Sequence, residues 1–117
     1  MILLVERNAA NRRLLRQVLE REGFGVMEAG SVQEMEKALG EGLPLRLALI
    51  DLAGLDAGIW PLCDELRKRN VPFFVLSPRQ SRQVEAASYA HGARGVMVKP
   101  LVMQQLLATV KALLEDA

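Results

Sequence analysis

The strongest constraint on this chain is a set of short apolar runs at residues 2–5, 47–50, 73–76 and 96–98, each almost free of polar residues. A strand with one face in water alternates between apolar and polar side chains. A strand with no such alternation must be covered on both faces, the usual situation in a parallel sheet flanked by helices. A fifth run, residues 24–29, alternates more and is expected at a sheet edge.

The segments between these runs have helical spacing. Leu14, Leu15, Val18 and Leu19 form one apolar stripe on a helix that also carries Arg12, Arg13, Arg16 and Glu20, and Gly23 is placed to end it. Ser31 is placed to cap a second helix, with Glu34 completing a capping box and Val32, Met35 and Leu39 facing inward as far as Gly40. A third helix is expected over residues 60–69 with Leu62, Cys63 and Leu66 inward. A fourth is expected over 81–91 with Val84 and Ala87 inward. The last, residues 102–115, repeats Met103, Leu106, Leu107, Val110, Leu113 and Leu114 at three- and four-residue steps. Strands and helices thus alternate as (βα)5, which implies parallel pairing, right-handed crossovers and helices on both faces of an α/β domain.

A chain of 117 residues, half of them apolar, can bury a core without disulfide or structural metal, so residues 1–117 are expected to form one domain. The lone Cys63 fits that reading, being more suited to the core than to reactivity. Fifteen basic against fourteen acidic residues give a net charge of +1, too weak a field to suggest nucleic acid or a membrane surface, which leaves protein partners. No apolar run is long enough to span a bilayer and the start is charged too early for a signal peptide. A cytoplasmic location is therefore expected.

In an open parallel sheet, ligands bind beyond the carboxyl ends of the strands. The first run ends in Glu6-Arg7, the third strand in Asp51, the fourth in Ser77 and the fifth in Lys99-Pro100, so charged and hydroxyl groups converge on one rim. Taken singly, each could serve only to cap a turn or open a helix.

Taken in order and spacing, the motifs Ile-Leu-Leu-Val-Glu followed by Asn-Arg-Arg-Leu-Leu, then Leu-Ala-Leu-Ile-Asp-Leu, Val-Leu-Ser and Gly-Val-Met-Val-Lys-Pro-Leu resemble the receiver domains of two-component response regulators. The resemblance covers residues 2 to about 115 and implies the flavodoxin-like (CheY-like) doubly wound fold with strand order 2-1-3-4-5. It implies that Asp51 accepts a phosphoryl group from a histidine kinase and that Lys99 and Ser77 contact the phosphate. The Lys99–Pro100 bond is expected to be cis, and Glu6 stands as the first member of an acidic pair. Phosphoryl transfer to a carboxylate needs cations that neutralise charge in the transition state, usually magnesium together with a lysine.

Arg7 is the main departure, standing where the family has an aspartate that ligates magnesium. A guanidinium offers no lone pair and repels the ion. Arg7 is expected to pair with Asp51, Glu6 or both, the alternative being that it swings into solvent; either way Glu6, Asp51 and the Ala53 carbonyl remain a weak magnesium set at best. The loop after Asp51 lacks the common proline and methionines, Pro78 follows Ser77, and Val96 occupies the position of the aromatic readout switch.

The expected function is an atypical receiver that signals through protein contacts, with phosphorylation at Asp51 weak or absent and no enzymatic activity beyond self-catalysed phosphoryl transfer. Its expected partners are a histidine kinase, an output domain or a second copy, engaged through residues 81–115, where Tyr89, if exposed, is a candidate contact, as is Trp60 elsewhere on the same condition. The alternatives are a working phosphoacceptor and a small ligand-binding flavodoxin-like domain. The latter is disfavoured because no G-x-G-x-x-G or Walker loop follows the first strand.

Overall fold

The computed structural model describes residues 1–115. Strands β1 (Ile2–Val5), β2 (Val26–Ala29), β3 (Leu47–Asp51), β4 (Phe73–Ser77) and β5 (Gly95–Val98) alternate with helices α1 (Ala9–Arg21), α2 (Val32–Gly40), α3 (Ile59–Lys68), α4 (Arg82–Ala90) and α5 (Met103–Glu115). The strands form one sheet in the order β2-β1-β3-β4-β5, and every pairing is parallel. The doubly wound arrangement implied by the motifs is therefore the observed one.

The period-two alternation of side chains splits the core into two layers. On one face, Leu3, Val5, Ala48, Ile50, Phe73 and Val75 pack against Met35 and Leu39 of α2 and Ile59, Cys63 and Leu66 of α3. On the other, Ile2, Leu4, Leu47, Leu49 and Leu76 pack against Leu15 and Leu19 of α1 and Leu106, Val110 and Leu114 of α5. The central strands β1 and β3 are buried along their whole length, as their unbroken apolar runs require. Among the described residues, no helix is long and apolar enough to cross a membrane.

Helix ends follow local chemistry. Asn8, Ser31 and Ser81 each accept a hydrogen bond from the backbone N–H three residues on, capping α1, α2 and α4. Gly23 follows the cap of α1 with φ 89°, a conformation that side chains disfavour and that turns the chain toward β2.

Three expectations are corrected. The apolar run at 96–98 implies a strand buried on both faces, but β5 is an edge strand of intermediate burial, with Val98 41% exposed. An apolar run of that length cannot by itself separate an edge strand from a central one. Leu14, read as part of the inward stripe of α1, is 60% exposed, because Leu15 and Leu19 alone carry the buried side of that helix. On α4, Val84 and Ala87 are only half-buried and the inward residue is Ser88, whose hydroxyl donates to the Val84 carbonyl at 2.6 Å. A serine that satisfies its own hydroxyl within the helix can face the core, a role its polarity conceals in the sequence.

Candidate functional site at the carboxyl rim of the sheet

Parallel strands bring all their carboxyl ends to one rim, and the chain crosses from one side of β1 to the other between β2 and β3. The crevice opens at that point. Glu6 follows β1, Asp51 ends β3, Ser77 ends β4 and Lys99 follows β5. The rim thus brings together the residues expected there, with Asp51 and Glu6 each only 1% exposed.

Asp51 is fully engaged. Its Oδ2 forms an ion pair with Lys99 Nζ, and its Oδ1 accepts a hydrogen bond from the Ala53 backbone N–H at 3.0 Å. The Lys99–Pro100 peptide bond is cis. Ser77 is 2% exposed, and its hydroxyl donates to the Arg79 carbonyl at 2.6 Å, turned into its own loop. Val96 is half-buried and packs on the core layer of α2 and α3.

Glu6 is held by its backbone: its N–H donates to Ala29 O at 2.9 Å, and its carbonyl accepts from Arg12 Nη1 at 2.7 Å. Its side chain is less well served, since the buried Oε2 has no hydrogen-bond partner. Burial, and then the neighbouring Asp51 carboxyl, push the Glu6 carboxyl up to about 7, while Lys99 and Asn11 act in the opposite sense.

Arg7 does not pair with Asp51 or Glu6. It points outward, and Nη1 donates to the Gly54 carbonyl at 3.1 Å in the loop between β3 and α3. Successive side chains at a strand end leave on opposite sides, so burying Glu6 sends Arg7 outward. The sequence contains Arg7 and Gly54, but nothing in the spacing of residues 47 apart announces their contact.

Beside Asp51 and Lys99 lies a cleft of about 420 Å³, walled by Leu14, Leu15 and Val18 of α1 and by Pro100, Leu101 and Met103. No motif in the sequence announces it. The exposed Leu14 explains it, because the residue borders the opening instead of filling the core.

The donor set does not fit the magnesium ion that the resemblance implies. Magnesium requires near-octahedral oxygen ligation, usually anchored by carboxylates. Glu6 Oε2 is one open carboxylate oxygen, both Asp51 oxygens are engaged, and the sequence position of the remaining acidic residue is held by Arg7, which supplies no ligand and turns outward to the Gly54 carbonyl. Among the described residues, no three His, Cys, Asp or Glu side chains cluster as a metal-binding group.

Residues 2–111 match the family described as response regulator receiver domain. The chain is 31% identical to the transcriptional regulatory protein ResD of Bacillus subtilis over an alignment covering 99% of this chain and 48% of that protein. It is 37% identical to the phosphate regulon transcriptional regulatory protein PhoB of Rhizobium meliloti, with 99% and 52% covered. The chain therefore spans about half the length of these curated relatives. A response regulator receiver domain protein (CheY-like) from Methanospirillum hungatei superimposes with a TM-score of 0.85 at 27% identity, covering 98% of this chain and 93% of that one. A two-component response regulator from Clostridium difficile gives a TM-score of 0.87 at 24% identity, covering 97% and 94%, and supports the fold alone. With the family match and the sheet order in agreement, the chain belongs to the receiver domain family of two-component response regulators.

Proposed function

We propose that this receiver is atypical: it signals through protein contacts, and magnesium-dependent phosphorylation of Asp51 is weak or absent. The observation that carries the reading is Arg7, a cation fixed by sequence where the family places a metal-ligating carboxylate, with its guanidinium committed to a backbone carbonyl. Phosphoryl transfer would require an Asp51 oxygen to attack phosphorus while the donor's leaving group departs. Without a divalent ion, Lys99 alone opposes the charge that gathers there.

The proposed contact surface is residues 81–115, where Tyr89 and Val98 are exposed and β5 offers a sheet edge. Partners of the family's kind fit it: an output segment, a histidine kinase or a second copy. The relatives' roles in transcription suggest such an output, while the net charge of +1 argues against direct nucleic-acid contact by this domain. We assign the whole chain to one domain and place it in the cytoplasm.

A second reading, a working phosphoacceptor, is favoured by the Lys99–Asp51 pair and by Ser77 at the adjacent strand end. Intact-mass spectrometry after incubation with acetyl phosphate and magnesium separates the two. The atypical reading expects no addition on wild type and a phosphoryl adduct on Arg7→Asp. A stable adduct on wild type that disappears in Asp51→Asn would establish the second reading instead.

A further inference from the structure

We infer that Arg7 is a strap that fastens the β3–α3 loop to the end of β1, tethering this loop without a metal. The inference stands on geometry alone and does not require Asp51 to be silent. Arg7 Nη1 donates to Gly54 O at 3.1 Å, joining residues 47 apart in sequence. The loop's other hydrogen bonds run elsewhere: Ala53 N–H to Asp51 Oδ1, Leu55 N–H to Leu52 O, Gly58 N–H to Asp56 Oδ1, Ile59 N–H to Asp56 O and Trp60 N–H to Ala57 O at the start of α3, and Leu52 N–H to Leu76 O on β4. Among the described residues, the bond from Arg7 is therefore the hydrogen bond that reaches this loop from β1.

The fit is steric as well as polar. Gly54 has φ 74°, and a Cβ built there would lie 2.7 Å from both Cδ and Nη1 of Arg7. The side chain of Arg7 thus lies against the bare backbone of Gly54, and the two residues work as a unit. Any side chain at position 54 would strain the backbone and displace the guanidinium. A cation bridging the two strand ends would draw the loop's carbonyls toward β1. The guanidinium draws one of them by hydrogen bonding and is always charged, so the tether depends on neither a ligand nor pH.

The test is amide hydrogen exchange of residues 52–58 in wild type and Arg7→Asp, each with and without magnesium, using the amides of β1 and β3 as the control for global folding. In wild type, loop exchange is expected to be the same with and without magnesium. In Arg7→Asp without magnesium it is expected to rise about fivefold, the factor for losing one modest hydrogen bond, and to slow again when magnesium is added. Arg7→Lys, which keeps a donor but not the fork, is expected to fall between the two. Unchanged loop exchange in metal-free Arg7→Asp would overturn the strap, as would a wild-type loop that magnesium tightens equally. Neither result depends on whether Asp51 takes up phosphate, so the strap and the phosphorylation reading can fail separately.

Discussion

Glu6 is the residue whose environment departs furthest from what its neighbours in sequence suggest. Its place at the end of a buried strand was legible, but its isolation was not, because that depends on Arg7 turning away and on Lys99 choosing Asp51. A carboxyl at about 7, against 4.5 for a free one, keeps its proton in the folded state over a range in which the unfolded chain has released it. The folded state therefore binds more protons, and the contribution of Glu6 to stability falls as pH rises from about 4.5 to about 7, then levels off. Glu6→Gln removes the charge at nearly constant shape. Relative to wild type, it should stabilise the domain at pH 8 by on the order of 1–3 kcal/mol and much less at pH 5. Urea denaturation of both proteins at the two pH values measures this, and a parallel decline in both would mean that Glu6 is not the titrating group. Cys63 behaves as its position on an apolar stripe indicated: it is fully buried, and burial pushes its thiol up to about 12, so little thiolate is available for reaction.

At the scale of elements, the pattern was readable wherever one local interaction decides it. Ser31 and Glu34 foretold the start of α2, and Ser31 Oγ accepts from Glu34 N–H at 3.1 Å. The reciprocal bond differs slightly, since Glu34 Oε1 accepts from the N–H of Gly30, one residue before the cap, at 2.9 Å. Ser31→Ala should cost about 1 kcal/mol, seen as a lower urea midpoint with an unchanged slope; a shift of only a few tenths would assign the helix start to packing instead. Elements whose placement depends on distant neighbours were read less well. The edge position of β5 is set by sheet order, and α4 is held partly by contacts its own sequence does not display. His91 at its end stacks on Trp60 of α3 with ring centroids 5.1 Å apart, and its Nδ1 lies 2.8 Å from Asp64 Oδ1. These contacts give His91 and Trp60 a structural place between α3 and α4.

For the whole molecule, the alternation of strands and helices together with the rim motifs was enough to recover the architecture, because a parallel sheet leaves few ways to cover both faces. Ligand linkage at the rim is less legible, since it sums contributions from side chains whose directions are set only on folding. It can be read as global stability. A ligand that binds only the folded state at ten times its dissociation constant adds about 1.4 kcal/mol, which moves the melting temperature of a domain this size by several degrees. With Arg7 in the acidic position and Asp51 already paired to Lys99, the wild-type melting temperature should move by less than about 1 °C on adding millimolar magnesium. Arg7→Asp should begin less stable without metal, because the tether to Gly54 is lost and a third carboxylate joins Glu6 and Asp51 at the rim. Magnesium should then raise its melting temperature by several degrees. Differential scanning calorimetry of the two proteins across a magnesium series tests both statements. A wild type that gains as much as the variant would mean that the rim holds the ion despite its guanidinium.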